Sequence, residues 1–238
     1  MKKIVMMGTV LMGTVLGGEI VRAVDYESAT KATSNGQIVV LENDDNNHIP
    51  DPEDPDKPVE PEVPVNPNPG QLKINYVSDF DFGNQKNTSQ AVSINAELDT
   101  LFDANGEELH RVPFIATEDL RGTERTGWEL RVSQPTNFMD SNGNELAGAT
   151  ISLNNLHYTN EINTPTVTNG ELVINQEEQT IVRADKTQGM GAWSLALGKA
   201  NNEGKTDGVT LNIPANTTKN NTTYKTSIVW ELIAEPTN

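Results

Sequence analysis

The 238-residue chain contains no cysteine, which excludes a disulfide framework, a thiolate nucleophile and any cysteine-ligated metal. Basic residues are also scarce: 17 Lys and Arg stand against 34 Asp and Glu, for a formal net charge of −17. Nucleic-acid phosphates and anionic lipids are met by Lys and Arg, so this balance argues against both as partners. Aromatics are only 5% and hydrophobics 35%, too few for the whole length to be core. The three histidines are His48, His110 and His157. None belongs to a metal-binding pattern, and there is no Gly-x-Ser-x-Gly elbow. Paired carboxylates leave a sugar hydrolase as a remote alternative, but the acids cluster at turns and in a proline-rich stretch, with few aromatic neighbours to form a cleft. The expectation is a protein that is not an enzyme and has no cofactor.

One apolar run is present, and it stands at the start. Lys2 and Lys3 precede Ile4–Gly18, followed by Val21-Arg22-Ala23. A positive start, an apolar run too short to span a bilayer and small residues before a cut describe a secretory signal peptide over residues 1–23. The mature chain is then more acidic still. No apolar tail or basic cluster marks the end Ala234-Glu235-Pro236-Thr237-Asn238, so attachment to a surface is expected to be non-covalent.

Residues 24–46 hold one candidate strand, Gln37–Leu41, which needs either the later domain or a partner to pair with. Residues 47–70 follow, and eight of the 13 prolines lie between Pro50 and Pro69 with acids interspersed. Fixed φ, missing donors and repelling carboxylates predict an extended spacer; at ~3.1 Å per residue it would reach about 60 Å. From Gln71 the pattern turns to period two. Leu72–Tyr76, Ala91–Leu98, Trp128–Val132, Ala149–Leu153 and Val209–Ile213 each suit a strand with one buried face. These, with frequent Asn, Thr and Gly connections, predict an all-β, antiparallel, sandwich-like domain over residues 71–238.

Two stretches share Asp-x-Asn-Gly-x-Glu-Leu, at Asp103–Leu109 and Asp140–Leu146. The pattern offers cation ligands in Asp103, Glu107, Asp140 and Asn144. It lacks the twelfth-position acid and flanking helices of a calcium loop, and Asn-Gly is a strong hairpin signal. Paired turns are the preferred reading, with no metal.

All three tryptophans stand in one frame: Trp128-Glu-Leu130, Trp193-Ser-Leu195 and Trp230-Glu-Leu232. On a strand, positions i and i+2 share a face. Each motif therefore either turns Trp and Leu into the core or leaves an indole exposed to stack on sugar rings. Glu129, Arg131 and Ser133, opposite Trp128, read as a solvated side.

These residues carry a resemblance to the WxL-domain surface proteins of low-GC Gram-positive bacteria, of the small enterococcal and lactobacillal type. It runs through the leader, an Asn-Gly strand, the Pro-Asp-Pro stretch, Tyr76–Gly83, Gly127–Gln134, Gly189–Gly198 and the closing Tyr224–Pro236. Val229 stands where the family pattern has Thr. The resemblance implies a domain that attaches non-covalently to the cell wall with peptidoglycan as ligand, in complexes with companion membrane-anchored and larger WxL proteins. It marks Trp128, Leu130, Trp193, Leu195, Tyr224, Trp230, Leu232 and Pro236 as candidate wall-binding residues. The alternative is a protein-interaction module whose wall contact is indirect.

Overall fold

The computed structural model describes residues 25–34, 36–40, 49–123 and 125–234. The expected signal peptide lies outside them. The chain divides into two compact units between residues 43 and 44.

The first unit holds β1 (Asp25–Ser28) and β2 (Lys31–Thr33), an antiparallel hairpin closed at Ala29-Thr30. The strand expected at Gln37–Leu41 is not found: residues 37–40 are irregular, with Ile38 and Val40 each 85% exposed. An apolar run with no ladder to join stays open. Leu41 lies outside the described residues.

The second unit carries β3 (Glu60–Pro61), β4 (Leu72–Val77), β5 (Val92–Glu97), β6 (Asp99–Phe102), β7 (Glu108–Arg111), β8 (Phe114–Asp119), β9 (Gly127–Ser133) and β10 (Thr150–Leu153). It continues with β11 (Leu156–His157), β12 (Thr166–Val167), β13 (Leu172–Val173), β14 (Gln179–Asp185), β15 (Gly191–Leu197), β16 (Lys205–Ile213) and β17 (Val229–Ala234). The described residues contain no helix, and every strand pairing is antiparallel, as the period-two pattern predicts. Three four-stranded sheets run β13-β10-β16-β5, β11-β15-β8-β4 and β12-β14-β9-β17, beside a small β3-β6-β7 sheet.

The main core takes one face from each large sheet: Ile94 from β5, Ile115 from β8, Trp128, Leu130 and Val132 from β9, Ile151 from β10, Leu195 from β15 and Leu211 from β16. A second core lies on the other face of β8 and β4, where Phe114, Ala116 and Tyr76 meet Ile49, Val59 and Leu101. Being buried on both faces, β8 loses alternation altogether, and its Phe-Ile-Ala-Thr-Glu-Asp run is buried throughout.

That second core corrects the spacer. Residues 49–66 are a strap packed on the domain rather than an extended arm. Ile49 and Val59 are buried and Val59 N–H donates to the Ile49 carbonyl at 2.9 Å. Ser194 Oγ and Thr159 Oγ1 donate to the Pro50 and Pro52 carbonyls, each at 2.6 Å. Asp51 is buried beneath Arg111, whose Nε and Nη2 both donate to its carboxylate at 2.8 Å. Proline gives up its donor but keeps its acceptor, and this strap is held through its carbonyls and its intervening apolar residues.

Two smaller expectations also resolve. Both Asp-x-Asn-Gly stretches are turns. Asp103 Oδ1 accepts from Asn105 and Glu107 N–H, and Asp140 Oδ1 from Asn142 and Asn144 N–H, at 2.8 to 2.9 Å. Gly106 and Gly143 take φ of +79° and +82° in the two turns. The face opposite Trp128, by contrast, is not solvated at Glu129 and Ser133, which are buried. Glu129 lies under Arg131 (2.8 Å), Arg183 (3.0 Å) and Thr180 (3.2 Å), which cover its charge.

Candidate functional site

The three Trp-x-Leu motifs are treated differently by the sheets that hold them. Trp128 is 1% exposed and Leu130 fully buried on β9, which is flanked by β14 and β17. Trp193 is 7% exposed and Leu195 fully buried on β15, flanked by β11 and β8. A short glycine-framed segment serves both indoles. Trp128 Nε1–H donates to the Gly189 carbonyl at 3.2 Å and Trp193 Nε1–H to the adjacent Met190 carbonyl at 2.9 Å. A Cβ on Gly189 would stand 2.8 Å from the Trp128 ring, so glycine is what lets that backbone close over the indole. Trp193 is further held edge-on by Tyr158 at 5.6 Å. Both are core residues with satisfied donors.

Trp230 and Leu232 sit on β17, a sheet edge, and both are half-buried. From Trp230 a row of edge-to-face rings leads inward: Trp230 to Phe80 (6.4 Å), Phe80 to Phe82 (6.5 Å) and Phe82 to Phe138 (6.5 Å). These rings line a cavity of about 1340 Å³ whose floor includes Ile94, Ile151, Leu211 and Ile213. Three of the five phenylalanines of an aromatic-poor chain are thus gathered at one opening. Tyr224 lines the same cavity, and its hydroxyl accepts from Asn220 N–H at 2.6 Å.

Two loops rich in amides form the rim. Asn87 Nδ2 donates to Asn221 Oδ1 at 2.9 Å and so ties the loop after Gly83 to the one before Tyr224. Asn220 Nδ2 reaches Asp140 Oδ2 at 3.1 Å, which anchors the rim on the second Asp-x-Asn-Gly turn. Hydrogen bonds from the Asn144 side chain and backbone, from Asn220 and from Asn142 N–H hold the Asp140 carboxyl down at about 2. Lys86, Lys219 and Lys225 also line the cavity, against Asp79 and Asp81. On a molecule this acidic, the opening is locally close to neutral.

A second, smaller cavity of about 390 Å³ shares Val77, Ile228 and Trp230 with the first and adds Pro64, Asn66, Ile74, Asn75 and Tyr76. Trp230 therefore stands between two openings.

Of the eight residues singled out from sequence, Tyr224 and Trp230 come together at the cleft. Leu232 lies two positions along β17 from Trp230, and Trp128, Leu130, Trp193 and Leu195 belong to the interior. Pro236 lies outside the described residues. Sequence reasoning did not single out Phe80, Phe82, Phe138 or Asn75, which line the two cavities. Phe80-Asp-Phe82 alone carried a signal, two of five phenylalanines at a period-two spacing.

The second unit is thus an all-β domain with a half-open aromatic cleft and an amide rim. The family comparison gives it its place: the chain belongs to the WxL family, whose model, described as WxL domain surface cell wall-binding, matches residues 27–236. This is a cell-surface protein with a cell-wall-binding domain. No curated protein and no solved structure matches the chain.

Proposed function

We propose that the protein contacts the wall directly and non-covalently through the Trp230 cleft, with peptidoglycan as the polymer. It acts without catalysis, as one member of a surface complex with companion WxL-type and membrane-anchored proteins. The observation that carries this reading is the partial exposure of the third Trp-x-Leu motif, with Trp230 at a cleft, where the first two are sealed in core. Indole and phenyl faces stack on the apolar faces of sugar rings, and neutral amides supply donors and acceptors for their hydroxyls. The absence of catalysis is supported by the placement of His110 and His157. His110 pairs with Glu108 at 3.2 Å and His157 with the Asn155 carbonyl at 3.0 Å, and neither lines the cleft.

The test mixes purified mature protein with purified peptidoglycan, and separately with cells stripped of surface proteins. Sedimentation with both is expected, unchanged or strengthened by salt because stacking and neutral hydrogen bonds dominate. Binding to stripped cells but not to peptidoglycan would overturn direct wall contact. It would favour the second reading, a protein-interaction module, which the exposed Ile38-Val39-Val40 run of the first unit supports.

A further inference from the structure

The small cavity contains a feature that neither the fold nor the cleft accounts for. Asn75 is 2% exposed, it lines this cavity, and neither its Nδ2 nor its Oδ1 has a hydrogen-bond partner. Buried side-chain amides are almost always paired, because an unmade hydrogen bond forfeits the solvation of both groups.

Its position is built rather than incidental. Along β4, Ile74 faces Thr117 and Tyr76 faces Ala116, so Asn75 is the extra residue of a β-bulge. A bulge re-aims the side chain it adds. The strap fixes the bulge from the other side: Asn66 N–H donates to the Asn75 carbonyl at 2.9 Å, and Asn66 Nδ2 to the Ile74 carbonyl at 2.7 Å. The other polar groups at the cavity are already engaged. Tyr76 OH donates to Asp99 at 2.8 Å, and Asn66 Oδ1 accepts from Asn68 N–H at 3.0 Å. The rest of the wall is Pro64, Ile74, Val77, Ile228 and the Trp230 indole.

A secondary amide bearing a methyl group suits the site. Its carbonyl accepts from Asn75 Nδ2, its N–H donates to Asn75 Oδ1, and its methyl rests on the aliphatic wall. Trp230 borders the cavity on the side shared with the cleft, so the ring carrying that amide would lie against the indole. We infer that Asn75 reads the acetamido group of an N-acetylated amino sugar, with Trp230 stacking on the sugar ring. This rests on the reading that the Trp230 cleft touches the wall.

The test uses the mature full chain and Asn75→Leu, which keeps the volume and removes the orphan amide. The variant is expected to melt at the same or a higher temperature, and to bind peptidoglycan sacculi about tenfold more weakly, the loss of one to two hydrogen bonds. In wild-type protein the Asn75 side-chain amide resonance should shift with N-acetylglucosamine, but not with glucosamine or N-acetylalanine methylamide. Wild-type affinity in Asn75→Leu would overturn the inference, as would a lowered melting temperature that accounts for the lost binding. A shift with the peptide amide in place of the sugar would overturn the sugar assignment. If wild-type protein ignores sacculi but Asn75 still shifts with N-acetylglucosamine, direct wall attachment falls and the sugar subsite stands. Sacculus binding with an unmoved Asn75 resonance is the reverse case.

Discussion

Trp128 and Trp230 occupy the same tripeptide on neighbouring strands, β9 and β17, in a register that sets Leu130 opposite Leu232 and Trp128 opposite Ala234. One indole is sealed under a glycine and its donor satisfied; the other stands half-open between two cavities. The difference is the strand's place in the sheet: β9 has a neighbour on both sides and β17 on one. A sequence motif can therefore be repeated while its surroundings are not, and the edge copy is the one left half-open.

Substitutions can press this comparison from both ends. Trp128→Ala removes a fully enclosed indole and should cost about 3–5 kcal/mol, measured by denaturant unfolding, with binding lost through unfolding. Arg111→Ala comes next: it strands the buried Asp51 charge under the strap and should cost about 3 kcal/mol by the same measurement. Trp230→Ala should lower stability by about 1–2 kcal/mol, as suits a half-buried side chain, yet abolish sedimentation with peptidoglycan. Equal losses of stability at Trp128 and Trp230 would break the distinction.

A pH titration probes the rim. Asp140 is held at about 2 against an ordinary 3.8. A depressed carboxyl contributes stability that is complete above the unfolded value and lost as pH falls through the folded one. Asp140→Asn should flatten the acid limb between about 3.8 and about 2 in a melting series. The smallest effect is expected at Val229, 46% exposed where the family pattern has Thr. Val229→Thr should stay within about 0.5 kcal/mol and leave binding unchanged.

Much of this was legible in the sequence. The strands around Leu72, Ala91, Trp128, Ala149 and Val209 announced themselves because apolar and polar residues alternate along each, although the polar Glu129 and Ser133 are themselves buried, and both Asp-x-Asn-Gly turns form as their chemistry dictates. Phe114–Asp119 carried no alternation because it is buried on both faces. The strap was misread because proline and acid spacing is the same whether the chain is solvated or docked. What decides is whether Ile49, Val59 and a cation for Asp51 find partners far along the chain, and local pattern carries no such information. Within the candidate site, the resemblance pointed to Trp230 and Tyr224. Asn75 was invisible, since a bulge is a relation between two strands.

The hydrogen bond from Ser194 to Pro50 spans 144 residues, and the small cavity takes Pro64, Asn66 and Asn75 from the front of the domain and Ile228 and Trp230 from its back. A chain delivered from its N-terminus presents the strap long before the strands it docks on have emerged. Such distant closures fold slowly, because loop entropy is spent before contacts reward it. The same topology makes both openings depend on the two ends of the domain at once. A chain cut short anywhere before β17 lacks one wall of both openings.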